Sequence, residues 1–349
     1  MGAGMERRAL YVAGAGAALG TLVDVREPVA RGEHSYAVAE RSGQLTVSVV
    51  PPDTAVPSLA ITAGRQALDQ AAALGLRDDP QRLVHCVVRD SGCDGWVAAP
   101  YVQLRLGIKH CFGSEVRTGC NGLSGVALTA DAMRGTGETF ALVTACDTWP
   151  PPIDRWRGPA GFAHADGGGA LAVTTEPTPL RLTAIEVHSD PTMEALTRGG
   201  HPLHGPHPPL DLRQRASEFG MPEDEQWKRR DEGLTYVVGR VLSAAATTPG
   251  EVGHVVVPHL YRDHLEREIL RPLKLGIGIT TWEYGRRVGH LGAADLFASL
   301  GYLLRGDLAP ARARLRQGDR VLMIGVGAGY SWGAALLDVV APIDREWVS

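Results

Sequence analysis

Strand-like and helix-like patterns alternate along this chain, and the alternation runs through twice. Residues 10–15 form a short apolar run ending in small residues, and 44–50 form a β-branched run closed by Pro51 and Pro52. A helical pattern over 56–76, with Ser58 placed to cap it and Gly75 near its end, leads into a buried strand over 83–89. A helix over 99–106, a second headed by Cys120, and strands over 139–147 and 167–175 complete the first series. The second series starts near residue 181: a strand over 182–188, a long loop, a helix over 223–246, a strand over 254–259 ending in His259, and helices over 261–270 and 293–304. It closes with strands over 320–325 and 333–340 joined by a glycine-rich turn. Such alternation demands layered sheets covered by helices, and its repetition predicts two related halves, 1–180 and 181–349.

Length agrees, because 349 residues exceed what one core usually organises. Hydrophobic residues at 44% and charged residues at 21% are those of a globular chain and exclude a disordered one. A net charge of −4 with no dense basic run argues against nucleic acid as a partner. No stretch reaches the roughly 18 uninterrupted apolar residues of a membrane span, and the first twenty residues lack a signal-peptide cleavage pattern, so a soluble cytoplasmic protein without membrane contact is expected. The five cysteines show no paired C-x-x-C spacing, which points to reduced thiols and not to disulfides or zinc.

One cysteine stands apart. In RTGCNGLSGVALTADAM, Leu123, Val126, Ala127, Ala130 and Met133 share a helix face, and Cys120 precedes them. Unpaired N–H groups and the helix dipole at such a start favour a thiolate, and Gly119 and Gly122 leave the sulfur open to attack a substrate. Free cysteine is usually a small buried hydrophobe, so the reading needs partners elsewhere. A thiolate nucleophile requires a proton carrier and donors for the oxyanion formed on an acyl carbon. His259, at the end of HVVVPH, and His290, in VGHLGAAD before a helix, are the candidate proton carriers. Asp295 either orients a histidine or simply complements the next helix's dipole.

Other features are plainer. The glycine runs at 14–20 and 325–333 lack dinucleotide-binding spacing and suit close backbone approach instead. The Pro/Gly/His-rich stretch between Asp190 and Asp224 reads as a loop or lid bordering a site, and its His201, His204 and His207 as solvated residues in place of metal ligands. Arg155, Trp156 and Arg157 either meet donor phosphates or form a surface cluster, and Trp96 is a candidate lining residue.

Taken together, Cys120-Asn121-Gly122, the VVPH ending at His259, the ADGGGA run at 165–170 and the GVGAGYSWG run at 325–333 resemble the thiolase-like condensing enzymes, and among them the β-ketoacyl-acyl carrier protein synthase III group. The matches span nearly the whole chain in order. The resemblance implies a five-layered αβαβα fold of two similar halves, a homodimer, and a cysteine at the bottom of a tunnel for a phosphopantetheine arm. It also implies oxyanion donors at the backbone N–H of Cys120 and of a glycine in the turn, Gly327 or Gly329. No permanently bound cofactor is implied; acyl carrier protein or coenzyme A would deliver the acyl group as a thioester.

The chain departs from that group where the G-N motif's asparagine is expected: Gly289 is followed by His290. The asparagine after the first histidine is also missing, within Leu260-Tyr261-Arg262. A histidine at position 290 suits a general base acting on a hydroxyl or amine better than carbanion chemistry. Cys120, His290 and Asp295 thus resemble the arrangement in ester-forming acyltransferases of natural-product pathways, with a sugar or polyketide hydroxyl as acceptor. A decarboxylating synthase and a non-catalytic partner subunit are the alternatives.

Overall fold

Among the described residues the chain forms eleven strands: β1 (Leu10–Leu19), β2 (Thr21–Asp24), β3 (Thr46–Val49), β4 (Arg82–Cys86), β5 (Phe112–Val116), β6 (Phe140–Asp147), β7 (Gly167–Thr174), β8 (Leu180–Ser189), β9 (His254–Val256), β10 (Arg320–Gly327) and β11 (Ser331–Val339). The computed structural model describes residues 8–93, 95–156, 161–204, 212–306 and 314–348, with backbone alone at 212, 213 and 216. β2 and β3 form a separate ribbon, and the others join in the order β5-β4-β6-β7-β1-β8-β11-β10-β9. The join between β1 and β8 is short, from Leu10 opposite Leu182 to Val12 opposite Leu180. Outward from that join, and leaving the ribbon aside, each side shows its first sheet strand, then its last, then the one before the last, then its second, with β5 added at one edge. The same order on both sides is the repetition that the alternating sequence pattern anticipates.

Helices cover these sheets in layers. The helix Pro57–Ala73 lays Ala60, Ala63, Ala67 and Ala71 against Ala13, Ala170 and Ala172. Contact is so close that a Cβ on Gly16 would sit 1.9 Å from the Ala63 carbonyl oxygen, and one on Gly14 2.2 Å from that of Ala67. This is the use of the glycines in the first strand. The helices Leu123–Thr136 and Asp295–Arg305 form the middle layer, and the latter, DLFASLGYLLR, is buried on all sides except at its last arginine. On the far side, Glu223–Ala244 buries Leu234, Val237, Val238 and Val241 against β8 and β11, with Gly233 directly beneath the ring of Trp332. The result is helix, sheet, helix, sheet, helix. Among the described residues no helix is long and apolar enough to cross a membrane.

Several local expectations change. Pro57 opens its helix one residue before Ser58, so Ser58 lies in the first turn and does not cap. The long loop after Asp190 contains the short helices Ala195–Arg198 and Leu212–Ser217. β9 stops at Val256, leaving His259 beyond the strand, and the helix that follows widens into a π-turn at Glu266–Leu270. β5 and the helix Trp282–Val288 were not evident from pattern.

Candidate active site

Cys120 lies in the turn between β5 and the helix Leu123–Thr136, two residues before Gly122, which precedes that helix. It is therefore ahead of the first helical turn and not within it. Its glycine neighbours admit other segments. A Cβ on Gly119, at φ +60°, would lie 2.4 Å from the Ala328 nitrogen, and one on Gly122 would lie 2.3 Å from the Ala293 carbonyl oxygen. Asn121 is fully buried, donates from Nδ2 to Ser331 Oγ at 3.3 Å, and fills the notch left by Gly325 and Gly333. In this way three distant stretches converge on one sulfur: the cysteine turn, the β10–β11 turn and the segment before Asp295.

The sulfur's partner is His290. Its Nε2 stands 3.0 Å from Cys120 Sγ, and its Nδ1–H donates to Asp295 Oδ2 at 2.6 Å. Asp295 also accepts from the backbone N–H of Leu291 at 2.7 Å and of His259 at 2.9 Å. Burial works against the His290 imidazolium, but the Asp295 carboxylate and the Cys120 sulfur outweigh it and hold His290 well above the ordinary histidine range. Burial likewise opposes the Asp295 carboxylate, and His259 and His290 overcome this and bring it below its usual range. Both shifts favour an imidazolium–carboxylate pair with the sulfur on the open side. Phe162 caps the imidazole, with ring centroids 4.2 Å apart.

His259 does not meet the cysteine. Its Nδ1–H donates to the Gly289 carbonyl at 2.7 Å and lies 3.1 Å from Asp295 Oδ1, while Nε2 accepts from the Ser299 hydroxyl at 2.8 Å. Burial lowers its pKa against the pull of the Asp295 carboxylate, and the ring braces Asp295 from behind. Of the two candidate proton carriers, the structure brings His290 and not His259 to the sulfur. Gly289, at φ +82°, lets the chain reverse so that the next residue carries the ring toward the sulfur.

Asp147, at the end of β6, was missed by sequence reasoning. It accepts from the N–H groups of Val88, Arg89 and Ala293, and a Cβ on Gly292, at φ +66°, would lie 2.3 Å from its Oδ2. Burial outweighs these bonds and pushes its carboxyl up to about 7. A lone aspartate ending a buried strand gives no pattern by which its role as an anchor could be found.

A cavity of about 320 Å³ opens onto Cys120 and His290. Phe162, Pro258, Leu260 and Trp332 make its apolar wall, and Arg230, Glu268 and Tyr330 a polar one. Gly327 and Ala328 of the β10–β11 turn line it, and Gly329 does not. Of the expected donor contacts, Arg155, Trp156 and Trp96 are not among its lining residues. Arg155 is paired with Asp166 at 2.9 Å and donates to the His164 carbonyl, Trp156 is buried beside His34, and Trp96 is partly exposed next to Tyr101. Arg157 and His207 fall outside the described residues. Among the described residues no cluster of His, Cys, Asp and Glu suits a metal ion. Cys86 and Cys146 are buried, and burial pushes the Cys86 thiol up to about 12 and that of Cys146 higher still, which makes both unsuitable as nucleophiles.

This architecture is the thiolase fold. A solved 3-oxoacyl-(acyl carrier protein) synthase III from Pseudomonas aeruginosa superposes with a TM-score of 0.75 at 23% identity, over 97% of this chain and 100% of that one. Residues 242–339 match the family described as 3-oxoacyl-[acyl-carrier-protein (ACP)] synthase III C terminal. The solved acyltransferase ChlB3 is 30% identical, with a TM-score of 0.86, over 97% of this chain and 99% of its own. The β-ketoacyl-[acyl-carrier-protein] synthase III of Pectobacterium atrosepticum is 25% identical over 302 residues, covering 86% of this chain and 89% of that relative. The chain belongs to the β-ketoacyl-acyl carrier protein synthase III-like family of thiolase-fold enzymes, a family that includes acyltransferases.

Proposed function

We propose that this protein is an acyltransferase that takes an acyl group from a carrier-protein or coenzyme A thioester onto Cys120 and passes it to a hydroxyl of a small molecule, such as a sugar or polyketide. The observation that carries this reading is the Cys120–His290–Asp295 chain, with 3.0 Å between sulfur and imidazole and 2.6 Å between imidazole and carboxylate. In the first step the Cys120 thiolate attacks the thioester carbon, the donor carbon–sulfur bond breaks, and His290 gives its proton to the departing thiolate. In the second, neutral His290 removes the proton of an attacking hydroxyl, the ester forms, and the Cys120 thiolate leaves with imidazolium restored. Backbone N–H groups of Cys120 and of the Gly327–Ala328 turn are the proposed oxyanion donors.

Acylation retunes the base. Once Cys120 is a thioester its sulfur can no longer ionise, and one of the influences raising His290 goes with it. The imidazole is then a better proton acceptor at the moment when one is needed. Asp295 stays to hold the tautomer.

Intact-protein mass spectrometry after incubation with acetyl-, propionyl- and hexanoyl-coenzyme A tests the acyl-enzyme: one acyl mass is expected on the wild type and none on Cys120→Ala. Labelling that persists in Cys120→Ala contradicts it. Decarboxylative condensation is a second reading, favoured by the synthase III names of the relatives; carbon dioxide released in step with product selects it over transfer to oxygen.

A further inference from the structure

The β10–β11 turn that faces Cys120 ends on a strained residue. Tyr330 has φ +54°, a left-handed conformation disfavoured for a side chain of this size. Two contacts hold it there: its carbonyl accepts from the Asp190 N–H at 3.0 Å, and its phenol oxygen accepts from Arg230 Nη2 at 2.9 Å. Arg230 is fixed in turn. Its Nη1 donates to Glu268 Oε1 at 2.6 Å, and its guanidinium stacks on Trp227 and Tyr330, 4.6 Å and 5.1 Å from their ring centroids. The π-turn Glu266–Leu270 carries Glu268 to this pairing, an irregularity of a kind often retained at functional sites. Arg230, Glu268 and Tyr330 line the same cavity as Cys120 and Ala328, and the Ala328 backbone packs on Gly119 next to the nucleophile.

We propose that Arg230, held by Glu268, is a positioning residue that fixes Tyr330 and through it the Gly327–Ala328 backbone opposite Cys120, keeping that turn set for the developing thioester oxyanion. The inference rests on the acyl-enzyme reading above. It assigns work to a polar chain that touches neither the sulfur nor His290. The phenol is buried and protonated, pushed up to about 12 by burial, and the charged donor in this contact is therefore Arg230.

Two reactions of one sulfur separate positioning from plain structure. Alkylation of Cys120 by iodoacetamide develops no oxyanion, whereas acetylation by acetyl-coenzyme A does. In Tyr330→Phe, losing one hydrogen bond to a charged group is expected to slow maximal acetylation about tenfold, with the half-saturating concentration of acetyl-coenzyme A and the alkylation rate each within about threefold of wild type. The paired variant Arg230→Gln/Glu268→Gln, which leaves no unpaired buried charge, is expected to show the same split. Equal loss of both reactions, or a Tyr330→Phe acetylation rate equal to wild type, overturns the positioning role alone. Wild-type protein that alkylates at Cys120 yet never acetylates there overturns the acyl-enzyme reading and this inference with it.

Discussion

Replacing Asp295 with asparagine probes the chain behind the nucleophile. The carboxylate accepts from His290 Nδ1 at 2.6 Å, Leu291 N at 2.7 Å and His259 N at 2.9 Å, with His259 Nδ1 3.1 Å away. An asparagine has one acceptor oxygen and one NH₂ group, and whichever way it turns, one of these donors faces another donor. Hydrogen bonds to charged groups contribute about 1.5–3 kcal/mol. At about 1.4 kcal/mol per tenfold, loss of the His290 bond slows acyl transfer about 10- to 150-fold. The wrong imidazole tautomer, favoured once the acceptor is lost, adds to this. The assay is single turnover: enzyme acetylated from acetyl-coenzyme A, freed of donor, then mixed with a hydroxyl acceptor while the acetyl mass is followed. A folded Asp295→Asn protein that transfers within about threefold of wild type would refute the reasoning.

Further outcomes follow from the same geometry. Transfer from the acyl-enzyme requires neutral His290, so its rate falls as pH drops through the imidazole's pKa in that state, which a pH–rate profile at fixed acceptor reads directly. Asp295 is held below its unfolded carboxyl value, so its contribution to stability is present above about pH 4 and lost as pH falls through its lower folded value; the melting-temperature gap between wild type and Asp295→Asn should shrink on acidification. His259→Ala leaves the Ser299 hydroxyl and the Gly289 carbonyl without their partner, a cost of about 1–3 kcal/mol in denaturant unfolding, while Cys120 remains open to acylation. Gly16→Val forces a side chain into the Ala63 carbonyl and should lower stability by about 1–3 kcal/mol or more, read by thermal melting, with no direct effect on the site.

Much of this fold and part of its site were legible in the residues. The two strand–helix series translate into two sides of one sheet with the same strand order, because buried strands such as β6 and β7 are continuous apolar runs and the covering helices keep a clear apolar face. β5 escaped because FGSEV is an edge strand with an exposed phenylalanine and only half-buried neighbours, which leaves no pattern to read. Cys120 announced itself through its glycines, and their steric reason is Ala328 on one side and Ala293 on the other. The sorting of the two histidines was not readable, because it depends on where β9 ends and on the reversal at Gly289. Arg155 carries a charge that suits phosphate in any sequence, but its partner Asp166 is found only once β7 is in place. The Arg230–Tyr330 contact spans a hundred residues, and neither residue signals the other.

In the proposed function, His290 moves the acyl group from Cys120 to oxygen. The most direct measurement follows the mass of acetyl-Cys120 protein, freed of donor, on mixing with a panel of simple sugars and phenols, in wild type and in His290→Gln. Wild type is expected to lose its acetyl group with an equal yield of acetyl ester and no carbon dioxide, while His290→Gln keeps it. Equal loss from both proteins, or no ester from wild type with any hydroxyl, would contradict it.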